Sequence, residues 1–238
     1  MKTFSMQHPE KGEIAYTDRK RYLWVSALFF PLVALSGIGL YSWSGNEWSF
    51  VVPLVLFYGG TALFDWLLGE DTSNPPEELV PQLEADAYYR WLPILTVPMH
   101  FAVLIAVAWF AGTHDVSWPA LLALALTAGL YSGIGVNTAH ELGHKKTDLE
   151  RWMARIVSAV PAYGHFCVEH NRGHHRHVAT PADPASSRMG ENIYKFACRE
   201  IPGAFRRGWN AEKERLARQG KSAWHHENEI LQSYALTA

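Results

Sequence analysis

Asn137-Thr138-Ala139-His140-Glu141-Leu142-Gly143-His144-Lys145-Lys146, followed by Glu169-His170-Asn171-Arg172-Gly173-His174-His175-Arg176-His177, is the pair of segments around which the chain is organised. Seven of its twelve histidines fall between positions 140 and 177. Histidine is the commonest metal ligand among side chains. On a helix, His140 and His144 share one face one turn apart, and His170 and His174 repeat the spacing, with His175 beside them. Two such motifs can converge on one metal centre or on two neighbouring ones.

Upstream, the sequence is apolar. Four stretches, Tyr22 to Trp43, Trp48 to Leu68, Trp91 to Ala111 and Trp118 to Val136, each approach the ~20 residues a helix needs to cross the hydrocarbon core. They are apolar all round, unlike the striped helices of a soluble bundle. Trp or Tyr marks nearly every end, as expected of side chains at headgroup level. The mean hydropathy of -0.09 averages this half with a polar one. The fold expected is therefore all-α and integral to a membrane, with one domain over 1–238. Its four transmembrane helices are placed at 22–43, 48–68, 91–111 and 118–136, and a cytoplasmic His-motif region covers 137–238. The fourth helix would deliver the first histidine pair just past its inner end.

Charge sets the orientation. All 21 Lys and Arg residues lie before the first helix, in the 69–90 loop or after the fourth helix, and none lies in the loops 44–47 and 112–117. Four crossings put every positive charge on one side, and by the positive-inside bias that side is the cytoplasm. The net charge of -2 leaves no electrostatic case for nucleic acid. Cys167 and Cys198 lack metal or redox spacing.

Finer expectations concern single residues and short segments. Asp65, near the inner end of the second helix, either faces a polar cavity or snorkels to the interface. Gly129-x-x-x-Gly133 is expected to serve close helix packing in lipid. Asp148 to Val160 reads as an amphipathic helix on the membrane surface, stopped by Pro161. Glu191 to Gln219 reads as two helices broken at Ile201-Pro202-Gly203. His225-His226 read as surface residues.

His-Glu-x-x-His is also the zinc-protease signature, with Glu141 as general base. A catalytic zinc takes three protein ligands and keeps an open position for water. The three further histidines, His170, His174 and His175, are too many for it. An all-imidazole, ligand-rich set suits a redox metal such as iron. Glu141, and with it Asn137, Asn171 and Asp183, is then expected to orient a ligand histidine from behind.

The two motifs, together with Val178-Ala179-Thr180-Pro181, Asp183-Pro184-Ala185, Asn74-Pro75-Pro76-Glu77-Glu78, Thr96-Val97-Pro98-Met99-His100 and Arg199-Glu200-Ile201-Pro202-Gly203-Ala204-Phe205, resemble the integral-membrane alkane 1-monooxygenases of the membrane desaturase and hydroxylase superfamily. Xylene monooxygenase and fatty acid desaturase enzymes are near relatives of that family. The resemblance implies two non-haem iron ions held by His140, His144, His170, His174 and His175, with no haem, flavin or NAD site and no catalytic residue beyond the ligands. It implies hydroxylation of the terminal methyl of medium-chain n-alkanes by O₂. Electrons would come from rubredoxin and its reductase, in the inner membrane of a bacterium. Lys145, Lys146, Arg206 and Arg207 offer a basic face for such an acidic carrier. Phe57, Phe64 and Trp66 are expected to close the far end of a substrate tunnel. The family's third cluster, His-x-x-His-His, one further ligand histidine and two final helices of six have no counterpart here. The expectation is a partial chain, inactive alone.

Overall fold

The computed structural model describes residues 1–238, which form two compact units, Met1–Gly133 and Ile134–Ala238. Four helices are long and apolar enough to cross a membrane: α1 (Arg21–Ser44), α2 (Glu47–Leu68), α3 (Ala87–Thr113) and α4 (Trp118–Gly143). The fold is thus mostly helical, as the apolar runs predict, with helix bounds within four residues of them except at the end of α4, which runs seven residues past Val136 and so carries His140 itself.

In the first unit, proline sets the local geometry. Pro31 and Pro53 each lack an N–H, and the backbone around them tightens to 3-10 turns at Phe30–Leu35 and Glu47–Val51. The core is aromatic. Tyr41 stacks on Phe50 with ring centroids 4.8 Å apart, and Phe110 meets both. Phe30, Phe57 and Tyr131 form a second cluster. Gly37 is required where α1 meets α2, because a Cβ there would lie 3.0 Å from the Ser49 carbonyl oxygen. Trp43, Trp48 and Trp118 are exposed at helix ends, where a headgroup layer would receive them. The short connections are tied together: Glu47 accepts hydrogen bonds from the Ser117 backbone N–H, at 2.9 Å, and from its hydroxyl.

Two features depart from the sequence reading. The polar N-terminus forms an antiparallel hairpin, β1 (Lys2–His8) and β2 (Gly12–Asp18). Its period-2 alternation, Phe4 and Met6 facing Tyr16 and Ile14, is a strand signal, but with only two such large apolar residues in each strand it is a short one. Gly129 and Gly133 face open space, with no atom within 4 Å of where a Cβ would stand, so no neighbouring helix packs closely on that face. Asp65 is exposed on the last turn of α2.

The hairpin is anchored by charge. Asp86 caps α3 through the Tyr88 N–H and receives both guanidinium nitrogens of Arg21, at 2.7 and 3.1 Å, and the Lys2 ammonium at 3.0 Å. Arg21 also lies over the Tyr88 ring, and Asp18 accepts from the Tyr89 hydroxyl.

The second unit holds α5 (Asp148–Ala159), a continuous helical segment α6 over 166–177, α7 (Ile193–Ala217) and α8 (Glu229–Thr237). The amphipathic segment after His144 is the helix expected, with Leu149 and Trp152 exposed and Ala154 and Val157 buried. The expected break at Pro202 does not occur, and α7 runs through it. Proline removes one helix hydrogen bond, and tertiary packing on both sides of it keeps the axis intact. Ala204 and Gly208 are buried, and Gly203 lies against Pro184 with no room for a side chain.

Replacing Asp86 by Ala leaves the part-buried Arg21 with only Asp18, at 3.9 Å, which costs up to about 3 kcal/mol. Limited proteolysis should then cut the hairpin faster. The bonds from Arg21 hold the Asp86 carboxyl far below the usual carboxylate range. The anchor is therefore complete above about pH 4 and is lost as pH falls below it, visible as acid-induced proteolysis of the N-terminus alone.

Candidate metal centre

The last turn of α4 carries His140 and leads into His144, and the ring centroids of the two are 4.7 Å apart. Their spacing does what an α-helix dictates. Across from them, α6 departs from α-helical geometry. His170–His174 is a π turn, in which a residue and the one five places on share a face. His170 and His175 are therefore brought together, with their Nε2 atoms 3.1 Å apart and their centroids 4.5 Å apart. His174 is the more distant neighbour, at 5.3 Å from His170. His140 lies 4.6 Å from His170, and His144 lies 4.9 Å from His175. Five imidazoles converge, and donor atoms of His140, His144 and His170 lie within 4.8 Å of one another.

Two of the rings are held neutral, each with one nitrogen unprotonated. Burial, then the neighbouring imidazoles, push His170 down to about 4. His144 is lowered by the same causes in the same order. At neutral pH each has a lone pair to offer. Across the cluster, the Nε2 atoms of His170 and His175, 3.1 Å apart, can share a cation in place of a hydrogen. The donor set fits a transition metal.

A buried ion network fixes the rings. The Asp183 side chain, 0% exposed, accepts from His174 Nδ1 at 2.9 Å, which leaves Nε2 of that ring as the donor to a metal. Asp183 also accepts from the Ser186 hydroxyl, the Ala185 N–H and Arg207. Burial alone would raise its pKa, but these hydrogen bonds outweigh it and hold the carboxyl at about 2. Arg207 bridges onward to Glu169, the residue before His170. Gly173 leaves room for that bridge, since a Cβ there would sit 2.6 Å from Arg207 Nε. A second network joins Arg172 to the fully buried Glu212 at 2.6 Å and to Glu229 at 2.9 Å.

Of the other residues singled out from sequence, Asn171 binds the Gly143 and Cys167 carbonyl oxygens rather than a ring. Asn137 and Glu141 are exposed. Phe57 packs against Phe30 and Tyr131, while Phe64 and Trp66 are exposed. Arg207 is taken up by Glu169 and Asp183, so it is not a free surface charge. Arg207 was read from sequence only as part of a basic face, and the roles of Glu169, Glu212 and Arg172 escaped sequence reasoning. One signal was present, an acid adjoining a metal-ligand histidine at Glu169. A cavity of about 470 Å³ lies beside them, lined by Arg172, Arg176, Arg207, Arg215 and Arg218.

The fatty acid desaturase family model matches residues 116–236. The alkane 1-monooxygenase of Pseudomonas putida is 55% identical over 226 residues, which cover 93% of this chain and 55% of that protein. Alkane 1-monooxygenase 1 of Alcanivorax borkumensis is 54% identical over 224 residues, with the same two shares. The hydroxylase component of a Pseudomonas putida xylene/toluene monooxygenase is 29% identical over 116 residues, 49% of this chain and 31% of that one. The chain spans about half the length of the curated alkane monooxygenases it matches.

Asp183→Asn should weaken metal binding about 10- to 100-fold, measured by competition against a chelator. Glu141→Gln, at an exposed position, should leave it unchanged.

Proposed function

The chain belongs to the fatty acid desaturase family, and on that premise we propose that it carries about half of a di-iron alkane 1-monooxygenase. The observation that carries this reading is the convergence of His140, His144, His170, His174 and His175 in a segment that aligns with alkane monooxygenases. These five would hold two non-haem irons, which supply O₂ activation and insertion of one oxygen atom into a terminal C–H bond.

The protein's own groups prepare that site. Low proton affinity keeps His144 and His170 uncharged at neutral pH. Asp183 holds the His174 ring by its Nδ1 hydrogen, and Arg207 balances the buried charge of Asp183 and Glu169. The packing of Phe57 against Phe30 and Tyr131 supports it as a side chain that limits alkane length. Each additional buried CH₂ is worth about 0.8 kcal/mol, so modest steric changes shift the preferred chain.

Electrons would come from reduced rubredoxin. The arginine-lined cavity beside Arg172 and Arg176, with exposed Lys146 and Arg206, supports docking of an acidic carrier on a cytoplasmic face. The distribution of Lys and Arg along the chain supports that orientation.

The whole protein should convert n-octane to 1-octanol carrying label from ¹⁸O₂, with NADH, rubredoxin and its reductase present. His140→Ala and His170→Ala should each abolish labelled product and lower bound iron. Unlabelled or absent octanol from the iron-loaded protein would overturn the assignment.

A further inference from the structure

The histidine cluster is joined to the protein surface by a continuous ladder of rings. Trp224 is 74% exposed. Its ring centroid is 5.1 Å from that of Trp209, which stacks on Phe205 at 6.4 Å. Phe205 lies 6.3 Å from Tyr234 and 5.4 Å from His165. His165 lies 4.4 Å from Tyr163, Tyr163 stacks on Phe166 at 5.8 Å, and Phe166 stacks on His170 at 5.0 Å. A buried phenol needs an acceptor for its O–H, and a titratable acceptor can also take the proton. Here both phenols have one. The Tyr163 hydroxyl donates to Glu200 at 3.2 Å, and the Tyr234 hydroxyl is 3.1 Å from Nδ1 of the buried His165. Those distances are within reach for proton transfer. A phenol is oxidised readily only when its proton can leave with the electron, so each tyrosine is equipped for one-electron chemistry.

We propose that Trp224, Trp209, Tyr234 and Tyr163 form a one-electron relay that discharges oxidising equivalents stranded at the histidine cluster when no substrate is oxidised. This inference rests on the redox-metal reading of that cluster. An over-oxidised metal held by these histidines would be reduced by one electron from Tyr163, whose phenol proton passes to Glu200. Tyr234 refills Tyr163, its own proton moving to His165 while Glu200 returns the first. Trp209 and then Trp224 supply the electron in turn, and His165 returns its proton to Tyr234. A thiolate in solution reduces Trp224 and leaves as a thiyl radical. Across the whole sequence one electron moves inward and every proton returns to its phenol. Phe205 and Phe166 bridge the stations by contact and are not oxidised.

Two measurements on the full chain in detergent decide the matter. In the first, metal-free protein is irradiated with a soluble ruthenium polypyridyl photo-oxidant and persulfate, frozen and examined by electron paramagnetic resonance. Beyond the tyrosyl signal that exposed Tyr22, Tyr58 and Tyr194 give directly, a further tyrosyl radical is expected that Tyr163→Phe and Tyr234→Phe diminish and Trp209→Phe removes, while Trp43→Phe leaves it intact. In the second, protein loaded with ferrous iron is treated with peroxide and its peptides are mapped by mass spectrometry. Trp224 should be oxidised well beyond Trp43 and Trp118, which are 86% and 83% exposed, and the excess should vanish in Trp209→Phe. Equal oxidation of the three tryptophans, or a tyrosyl signal indifferent to Trp209→Phe, would overturn the relay. Should Trp209→Phe fail to fold by circular dichroism, Tyr234→Phe, which loses only a hydroxyl, takes its place in both measurements. Failure of iron to bind removes the metal reading instead, and the metal-free measurement still decides the relay.

Discussion

The carboxylate of Asp183 is the constraint on which the second unit depends. It is fully buried, and a buried charge without partners would cost several kcal/mol. Four donors meet it: a histidine ring, a guanidinium, a hydroxyl and a backbone N–H. They come from separate pieces of the fold. His174 belongs to α6, Arg207 to α7, and Ala185 and Ser186 to the loop between them. Satisfying one charge therefore fixes the relative placement of two helices and a loop. Ala179 shows the strain that this arrangement tolerates. It sits at a φ of 63°, an unfavourable conformation for a residue with a Cβ, where its N–H reaches the same Ser186 hydroxyl. Of the five histidines, His174 is the one held directly by this charge, through its Nδ1.

The apolar half was legible because the bilayer simplifies the code. In hydrocarbon only a helix satisfies its own backbone, so length and composition nearly determine the element. Residues 22–43 and 118–136 could be read directly for that reason. The N-terminal hairpin could not. Its strands carry Thr3, Ser5, Gln7 and Glu13 among few apolar residues, and it is held by Arg21, Lys2 and Asp86, far apart in sequence. Pro202 misled for a related reason. A proline is a local penalty of ~3 kcal/mol, and sequence shows the penalty without the packing that offsets it. Gly129 and Gly133 misled in the opposite sense, since the pattern announces a close contact that this chain does not make.

The candidate site was legible as a set of donors and not as a geometry. Histidine spacing identified His140, His144, His170, His174 and His175, and all five converge. What spacing could not reveal was the supporting charge. Asp183 could be singled out, but Glu169, Arg207 and Glu212 acquire meaning only once helices meet in space. Arginine is a poor guide from sequence for the same reason: Arg207 reads as a surface cation and turns out to be the partner of two buried acids. The membrane half and the polar half thus obey different rules, one governed by hydrocarbon and the other by pairing of charges.

The π turn at His170–His174 also bears on how such a site tolerates change. An α-helix rotates by about 100° per residue, so a π turn amounts to one residue inserted without rotating the rest of the helix out of line. His170 and His175 meet because of that extra residue. Removing one amino acid between them would let the segment close to ordinary winding with the residues downstream still in line, and would leave the two histidines four apart, a spacing that an α-helix also places on one face. Wider winding thus lets a spacing of five do here what a spacing of four does for His140 and His144.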